Sequence, residues 1–369
     1  MAAITRKRDN IHWTLNRLLS YNKTYNYAVS GRGPGKTTDT ARYMMKIHKQ
    51  GYMIVVLRRQ IVDISETTIT DFQNAYNVLQ EEENKIKLTY KKGDMKTGIC
   101  DVYIEGEEMP FFRLIALSNP KYRLKGQAFD RELAWIIFDE YKISQTEKYL
   151  PDEYGKFSEL YSTLARFGIQ LENGDIKPPR VLFLGNNYSL TDPYMANMNI
   201  PPHKVRQGEV ITGKDWAFED IKISDELKEY LLKQNPLFNF GNDAYNKYAL
   251  EGISVSDQRI RIIENEPQNF KLAAVFYIEN KYLGIYRRDT ETTKFEDNLE
   301  YWITVLDDYN SKRRDVICFD FYSLIEGNVL ISVVEKQAFI SLKNHFRWRR
   351  IAFKSIYEGY LFEQIYNLI

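Results

Sequence analysis

Ser30-Gly31-Arg32-Gly33-Pro34-Gly35-Lys36-Thr37 stands directly after the apolar run Tyr25–Val29 and opens a helix-compatible stretch that extends to Lys49. Glycine at 31, 33 and 35 lets the main chain turn tightly, so that successive N–H groups converge on one anion. Lysine and threonine at the start of the following helix complete the phosphate-loop pattern G-x-x-x-x-G-K-[ST]. In that pattern Lys36 reaches the β- and γ-phosphates of ATP, the Thr37 hydroxyl ligates Mg²⁺, and the helix adds the positive end of its dipole. The first position holds Ser30 instead of glycine, which costs little where that residue has an ordinary backbone conformation. The expected nucleotide ligands are Ser30, Gly31, Arg32, Gly33, Pro34, Gly35, Lys36, Thr37 and Thr38. Arg32 has two readings, a phosphate-facing cation or a solvated loop arginine.

About 100 residues later, Ala134-Trp135-Ile136-Ile137-Phe138-Asp139-Glu140 is apolar and then abruptly acidic. An acid pair at the carboxyl end of a buried strand is the Walker B pattern, with Asp139 holding Mg²⁺ and Glu140 polarising the attacking water. Neighbouring strand residues point to opposite faces, which lets the two carboxylates divide these roles. Val181-Leu182-Phe183-Leu184-Gly185-Asn186-Asn187 is a second buried strand with a polar end, and Asn186 is the candidate sensor of the γ-phosphate. Phosphoryl transfer also calls for a cation that neutralises transition-state charge. Arg166 is the first choice for that role, supplied in trans by a neighbouring subunit, with Arg123 and Lys125 as alternatives. Arg58 and Arg59 follow another buried run, Tyr52–Leu57, and read equally as phosphate or DNA ligands or as a solvated pair.

Strands alternating with helices indicate an α/β fold with a parallel-type sheet. Helices are expected over 11–21, 36–49, 71–81 and 152–167. Strands are expected at Tyr25–Val29, Tyr52–Leu57, Leu114–Leu117, Trp135–Phe138 and Val181–Leu184, with hairpins around Gly93 and Gly106. The texture changes after residue 222. Residues 224–250 read as broken helix, and beyond them β signals dominate at Ala273–Ile278, Tyr282–Arg287, Val316–Phe321 and Val329–Val334. Helices are expected there at 295–310 and 355–367. The domain reading is therefore 1–222 for the ATPase, 223–257 for a helical linker and 258–369 for a smaller α+β domain.

Bulk properties fit this reading. The chain has 369 residues, enough for two domains at roughly 150 residues each. Its net charge of +1 is too small for a protein that coats DNA, but suits a ring that meets DNA through a few loops. Cys100 and Cys318 have no CxxC partner, as expected of a reduced protein without structural zinc. No apolar run approaches the ~18 residues of a membrane span, and MAAITRKRDN lacks the apolar core of a signal peptide.

These residues together resemble the DNA-packaging ATPases of phi29-like podophages. The resemblance runs through Ser30–Thr37, Leu57-Arg58-Arg59, Leu117-Ser118, Phe138-Asp139-Glu140, Tyr149-Leu150-Pro151, Arg166, Leu184-Gly185-Asn186 and Asp192-Pro193-Tyr194. Spacing is similar over 15–225, and beyond it only Ile223-Ser224-Asp225 and Tyr282-Leu283-Gly284 are similar. The resemblance implies an ASCE-type P-loop ATPase that uses Mg-ATP, assembles as a homopentameric ring on the phage portal and moves double-stranded DNA. It also implies a packaging RNA as scaffold, action in the host bacterial cytoplasm and at the portal vertex of the prohead, and an RNase H-like C-terminal domain related to large terminases. Lys36, Thr37, Asp139, Glu140 and Arg166 carry over in the roles given above. Lys125 carries over only with a gap.

An RNase H-like nuclease needs several carboxylates around two metals. The expected first strand, Leu272–Ile278, has none, Glu279 comes only at its end, and Asp320 is alone in its run, so the domain reads as inactive in cleavage. It does carry Arg313-Arg314 and Arg347-Trp348-Arg349-Arg350, and arginine interleaved with an aromatic suits a phosphate backbone. Arg347, Arg349, Arg350 and Lys125 are the nucleic-acid candidates. The alternative for the run is a solvated basic face with Trp348 in the core. Competing functions are a large-terminase-like enzyme with an active nuclease, a helicase or other non-packaging ring ATPase, and a nucleotide-gated binding module. The missing first-strand acid, the missing second RecA-like domain and the intact Lys36, Asp139 and Glu140 weigh against them in turn.

Overall fold

Parallel strands covered on both faces are apolar throughout, and Met53–Leu57 and Leu133–Phe138 are buried at every position. The computed structural model describes residues 12–91, 96–119, 129, 131–143, 149–187, 192–201, 204–234, 261–278, 281–289, 299–307, 309, 316–318, 328–330, 333–348 and 350–368. The chain forms two compact units, one of Met1–Tyr188 with Val205–Ile253, the other of Ser189–Lys204 with Ser254–Ile369.

The first unit runs α1 (Asn16–Ser20), β1 (Tyr25–Ser30), α2 (Lys36–Lys49), β2 (Met53–Arg58), α3 (Glu66–Asn77), β3 (Leu88–Tyr90), β4 (Ile99–Ile104), β5 (Pro110–Ala116) and β6 (Leu133–Asp139). It continues through α4 (Glu153–Leu164), the short pair β7 (Ile169–Gln170) and β8 (Ile176–Lys177), and β9 (Arg180–Asn186). After α5 (Pro193–Asn197), which clusters with the second unit, come β10 (Val210–Thr212), β11 (Trp216–Asp220) and α6 (Asp225–Gln234).

The sheet order is β10-β11-β1-β9-β6-β2-β5-β4-β3, parallel from β11 to β5 and antiparallel at its edges. The crossover through α2 carries the chain from β1 past two positions to β2, and β9 and β6 fill the gap. Register places Ser30 opposite Asn186 and Asp139 opposite Leu184, so the carboxyl ends of β1, β9 and β6 meet. In open α/β sheets that edge is where ligands bind. One face packs Leu15, Leu18, Met44 and Phe72 into a buried cluster. The other is aromatic, with Tyr27 stacked on Phe183 at 4.3 Å between centroids and Phe138 and Phe157 in the same group.

Helix α1 is shorter than the expected 11–21. The main chain before it is pinned elsewhere, Trp13 N–H donating to Pro34 O (3.0 Å) and Leu15 N–H to Asp39 Oδ2 (2.7 Å). Helix α3 begins earlier than expected because the Ser65 hydroxyl caps it, accepting from Thr68 N–H at 3.3 Å.

The second unit holds β12 (Arg261–Ile262), β13 (Phe270–Ile278), β14 (Lys281–Arg288), β15 (Tyr301–Leu306), β16 (Val316–Cys318), β17 (Asn328–Leu330), α7 (Val333–Arg347), β18 (Ile351–Phe353) and α8 (Ile356–Leu368). Its strand order is β12-β18-β15-β14-β13-β16-β17. Strands β13, β14 and β15 form an antiparallel meander, and β16 and β17 add in parallel beside β13. Phe276, Phe339, Phe346, Phe353 and Phe362 make up much of the core that joins α7 and α8 to the sheet.

Two expectations for this unit are corrected. The helix expected over 295–310 is strand β15 over Tyr301–Leu306, where Tyr-Trp-Ile-Thr-Val favours a pleated surface and pairs with β14 and β18. Of the strand expected over Val329–Val334, the described strand is Asn328–Leu330, and the chain from Val333 is helical. Its two leading valines suggest a strand, but the buried positions Phe339, Leu342 and Phe346 have helical spacing.

Candidate functional site

Between β1 and α2 the chain turns through Gly33 at φ +90° and Gly35 at φ +92°, a region that L side chains avoid. Gly35 precedes α2 with no side-chain cap, and the uncapped start of a helix favours an anion. Ser30 is not among the residues of positive φ, which is why serine serves at that position. The loop opens on a cavity of about 540 Å³, the size of a small-ligand site. Arg32 to Thr38 line it together with His12, Trp13, Val78, Leu79, Glu140 and Asn186. The sequence did not single out the apolar and aromatic part of this lining.

The Lys36 ammonium is folded back onto the loop. It donates to Ser30 Oγ, to Gly31 O (3.2 Å) and to Asn186 Oδ1 (3.3 Å). Burial brings its pKa down to about 7, with Asp139 and Asp220 pulling the other way. Burial likewise raises Asp139, while Arg58 opposes the rise. Arg58 Nη1 donates to Asp139 Oδ2 (3.0 Å) and to Glu140 Oε2 (2.9 Å), so one guanidinium bridges both acids. Arg58 and Arg59 are thus neither solvated nor free for DNA, since Arg59 is paired with Glu153. Glu140 itself has φ +57° and an exposed side chain.

Lys36, Asn186, Asp139, Glu140 and the loop therefore converge at one sheet edge. Arg166 lies in an exposed turn after α4, outside the pocket lining. Lys125, Arg349, Arg313, Arg314, Glu279 and Asp320 lie outside the described residues, as does the Arg347 side chain. Arg350 Nη1 donates to Glu300 Oε1 (2.8 Å), and its guanidinium sits 5.4 Å from the Trp348 ring. Trp348 is 61% exposed, which removes it from the core.

Asp220, at the end of β11 beside β1, was not foreseen. Burial raises it to about 7, against the pull of Lys142 and Lys36 and with Glu219 adding to the rise. Between its ordinary 3.8 and about 7 the folded chain holds a proton that the unfolded chain has released. Stability of the nucleotide-free protein should therefore fall as pH rises through that window. Lys36 works oppositely, because between about 7 and 10.5 the unfolded chain holds the extra proton and stability rises with pH. Asp220→Asn should flatten the acid-side fall in urea denaturation across that window. Equal slopes in variant and wild type would refute this.

A Cβ at Gly33 would come within 2.8 Å of Leu231 Cδ2 on α6. Gly33→Ala should cost about 1–2 kcal/mol from the left-handed backbone alone, plus this contact. Adding Leu231→Ala should relieve only the second part. Urea midpoints unchanged by Gly33→Ala would count against the loop geometry.

The sequence pattern of the Podovirus DNA encapsidation protein (Gp16) family matches residues 8–327. The fold is similar to that of the Phi-28 gp11 DNA packaging motor, with 19% identity over 96% of both chains and a TM-score of 0.62. It is also similar to a chain of the bacteriophage Phi-29 viral genome packaging motor assembly, with 17% identity, 98% of this chain and 100% of that one covered, and a TM-score of 0.60. No curated protein sequence matches the chain. The family match takes in every described residue of the first unit and the second unit's meander, and the chain belongs to the Podovirus DNA encapsidation protein (Gp16) family.

Proposed function

We propose that the chain is an ATPase that works in a homo-oligomeric ring, a pentamer, and drives double-stranded DNA through a phage portal into the prohead. The observation that carries this is the convergence of Lys36, Asn186 and the Arg58-bridged pair Asp139 and Glu140 at one sheet edge, beside a glycine loop whose helix begins without a side-chain cap. The Thr37 hydroxyl and the Asp139 carboxylate are hard oxygen donors that fit Mg²⁺. When bound, Mg²⁺ would neutralise charge on the phosphates of ATP. Lys36 would exchange Ser30, Gly31 and Asn186 for phosphate oxygens and regain its full charge there. Asp139 would leave Arg58 for the metal, and Glu140 would orient the water and take its proton. Asn186 would report on the γ-phosphate.

The proposal extends to a packaging RNA as scaffold, to action in the bacterial cytoplasm and at the portal vertex, and to the division 1–222, 223–257 and 258–369. The antiparallel meander with two parallel strands beside its first strand supports an RNase H-like reading of the C-terminal domain. Without a carboxylate inside β13, that domain would bind nucleic acid or prohead through Arg347, Arg349 and Arg350 and leave DNA uncut. With portal-bearing proheads, Mg-ATP and the wild-type protein should make double-stranded DNA resistant to added nuclease, and Lys36→Ala should abolish that protection. ATP hydrolysis without protection, under conditions where proheads bind the protein, would rule out translocation.

A further inference from the structure

Arg59 follows β2 and is almost enclosed, with a side chain 10% exposed. Its counter-ion is Glu153 at the start of α4, whose side chain is fully buried. The pair is bidentate, Nε to Oε2 at 2.8 Å and Nη2 to Oε1 at 3.1 Å. Glu153 Oε2 also accepts from Leu150 N–H at 2.8 Å, and the guanidinium lies 5.2 Å from the Tyr149 ring centroid and 5.9 Å from that of Phe138. Two further donors of Arg59 go to main chain: Nη1 to Glu140 O at 3.2 Å and Nη2 to Tyr141 O.

Those two carbonyls directly follow an unusual backbone turn. Glu140 has φ +57°, which a residue with a Cβ keeps only where its surroundings impose it. On the far side Tyr141 is fully buried and its N–H donates to Leu184 O at 3.1 Å, continuing the bonding to β9. β6 itself ends at Asp139, so this bond ties the chain back to β9 immediately after the left-handed residue. Its side chain is turned out of the sheet and is 65% exposed, lining the cavity at the phosphate loop.

We infer that the Arg59–Glu153 pair positions the Walker B glutamate, gripping the carbonyls of Glu140 and Tyr141 so that the Glu140 carboxylate faces the nucleotide pocket. This rests on the ATPase reading of that pocket. Arg59 donates hydrogen bonds to Glu153 and to the carbonyls of Glu140 and Tyr141, so its effect falls on the placement of the base and not on nucleotide affinity. Only a planar fork with several donors joins one carboxylate to two carbonyls, and lysine cannot make all of these bonds at once.

The test measures kcat, KM and Mg-ATP affinity for Arg59→Lys, and for the paired change Arg59→Met with Glu153→Met. The paired change removes both buried charges together and so leaves neither one alone. Both proteins should bind Mg-ATP within about threefold of wild type while kcat drops about 10–100-fold, the scale of a misplaced catalytic group. In a Glu140→Asp background, adding Arg59→Lys should cost less than it does in the wild type, because the group it places is already displaced. Unchanged kcat would overturn the inference, and so would binding lost in step with hydrolysis in both variants, which makes the pair merely structural. Absence of hydrolysis in the wild type would instead refute the ATPase reading itself.

Discussion

Glu140→Gln should hold Mg-ATP as tightly as the wild type while hydrolysis falls about 10²–10⁴-fold, the range for loss of a positioned base. The amide keeps the size of the carboxylate but cannot accept the proton of the attacking water. In the structure Glu140 is the more exposed member of the acid pair, and its bond to Arg58 leaves Asp139 with a bond of its own to the same guanidinium. Replacing Glu140 therefore spares the proposed metal ligand. Lys36→Ala should behave differently and lose tight binding itself. Its ammonium stands at the head of α2, bonded to Ser30, Gly31 and Asn186 and poised beside Asp139, and among the described residues no other lysine lines the cavity. Fluorescent-nucleotide titration and steady-state hydrolysis on the same preparations separate the two outcomes. Wild-type turnover in Glu140→Gln would make the base assignment wrong.

The contrast between these residues and Arg59 shows what a sequence carries. The phosphate loop is legible because its chemistry demands contiguous types, with glycines for positive φ and a lysine and a threonine at the first helical turn. Asp139 and Asn186 are legible because each ends an apolar run, and β9, which carries Asn186, lies between β1 and β6. The Arg59–Glu153 pair has no such signature. Its partners are 94 positions apart, each is common in surface loops, and only the fold shows both to be buried. Asp220 was hidden for the same reason, as one acid of an acid pair at a strand end that tertiary burial alone perturbs. At Tyr301–Leu306 the reading failed because short apolar runs fit helix and strand alike until pairing decides.

Arg166→Ala should reduce hydrolysis on the order of 10³–10⁵-fold, the effect of removing an arginine finger, with little change in nucleotide affinity. The residue sits in the 3-10 turn Ala165–Phe167 that closes α4, exposed, outside its own pocket lining and in no ion pair among the described residues. A cation at a helix end and outside the cis pocket lining is what the proposed trans role requires. The trans role makes a demand that a cis role does not. In rings mixed from Arg166→Ala and Glu140→Gln subunits, some interfaces join an intact Glu140 of the first kind to an intact Arg166 of the second. Hydrolysis should then partly recover although neither parent is active, with its maximum at intermediate ratios. A cis arginine gives no recovery at any ratio, because each subunit then carries its own defect. Rings shown to co-assemble that stay inactive throughout would exclude Arg166 as the finger and return the choice to Arg123 and Lys125.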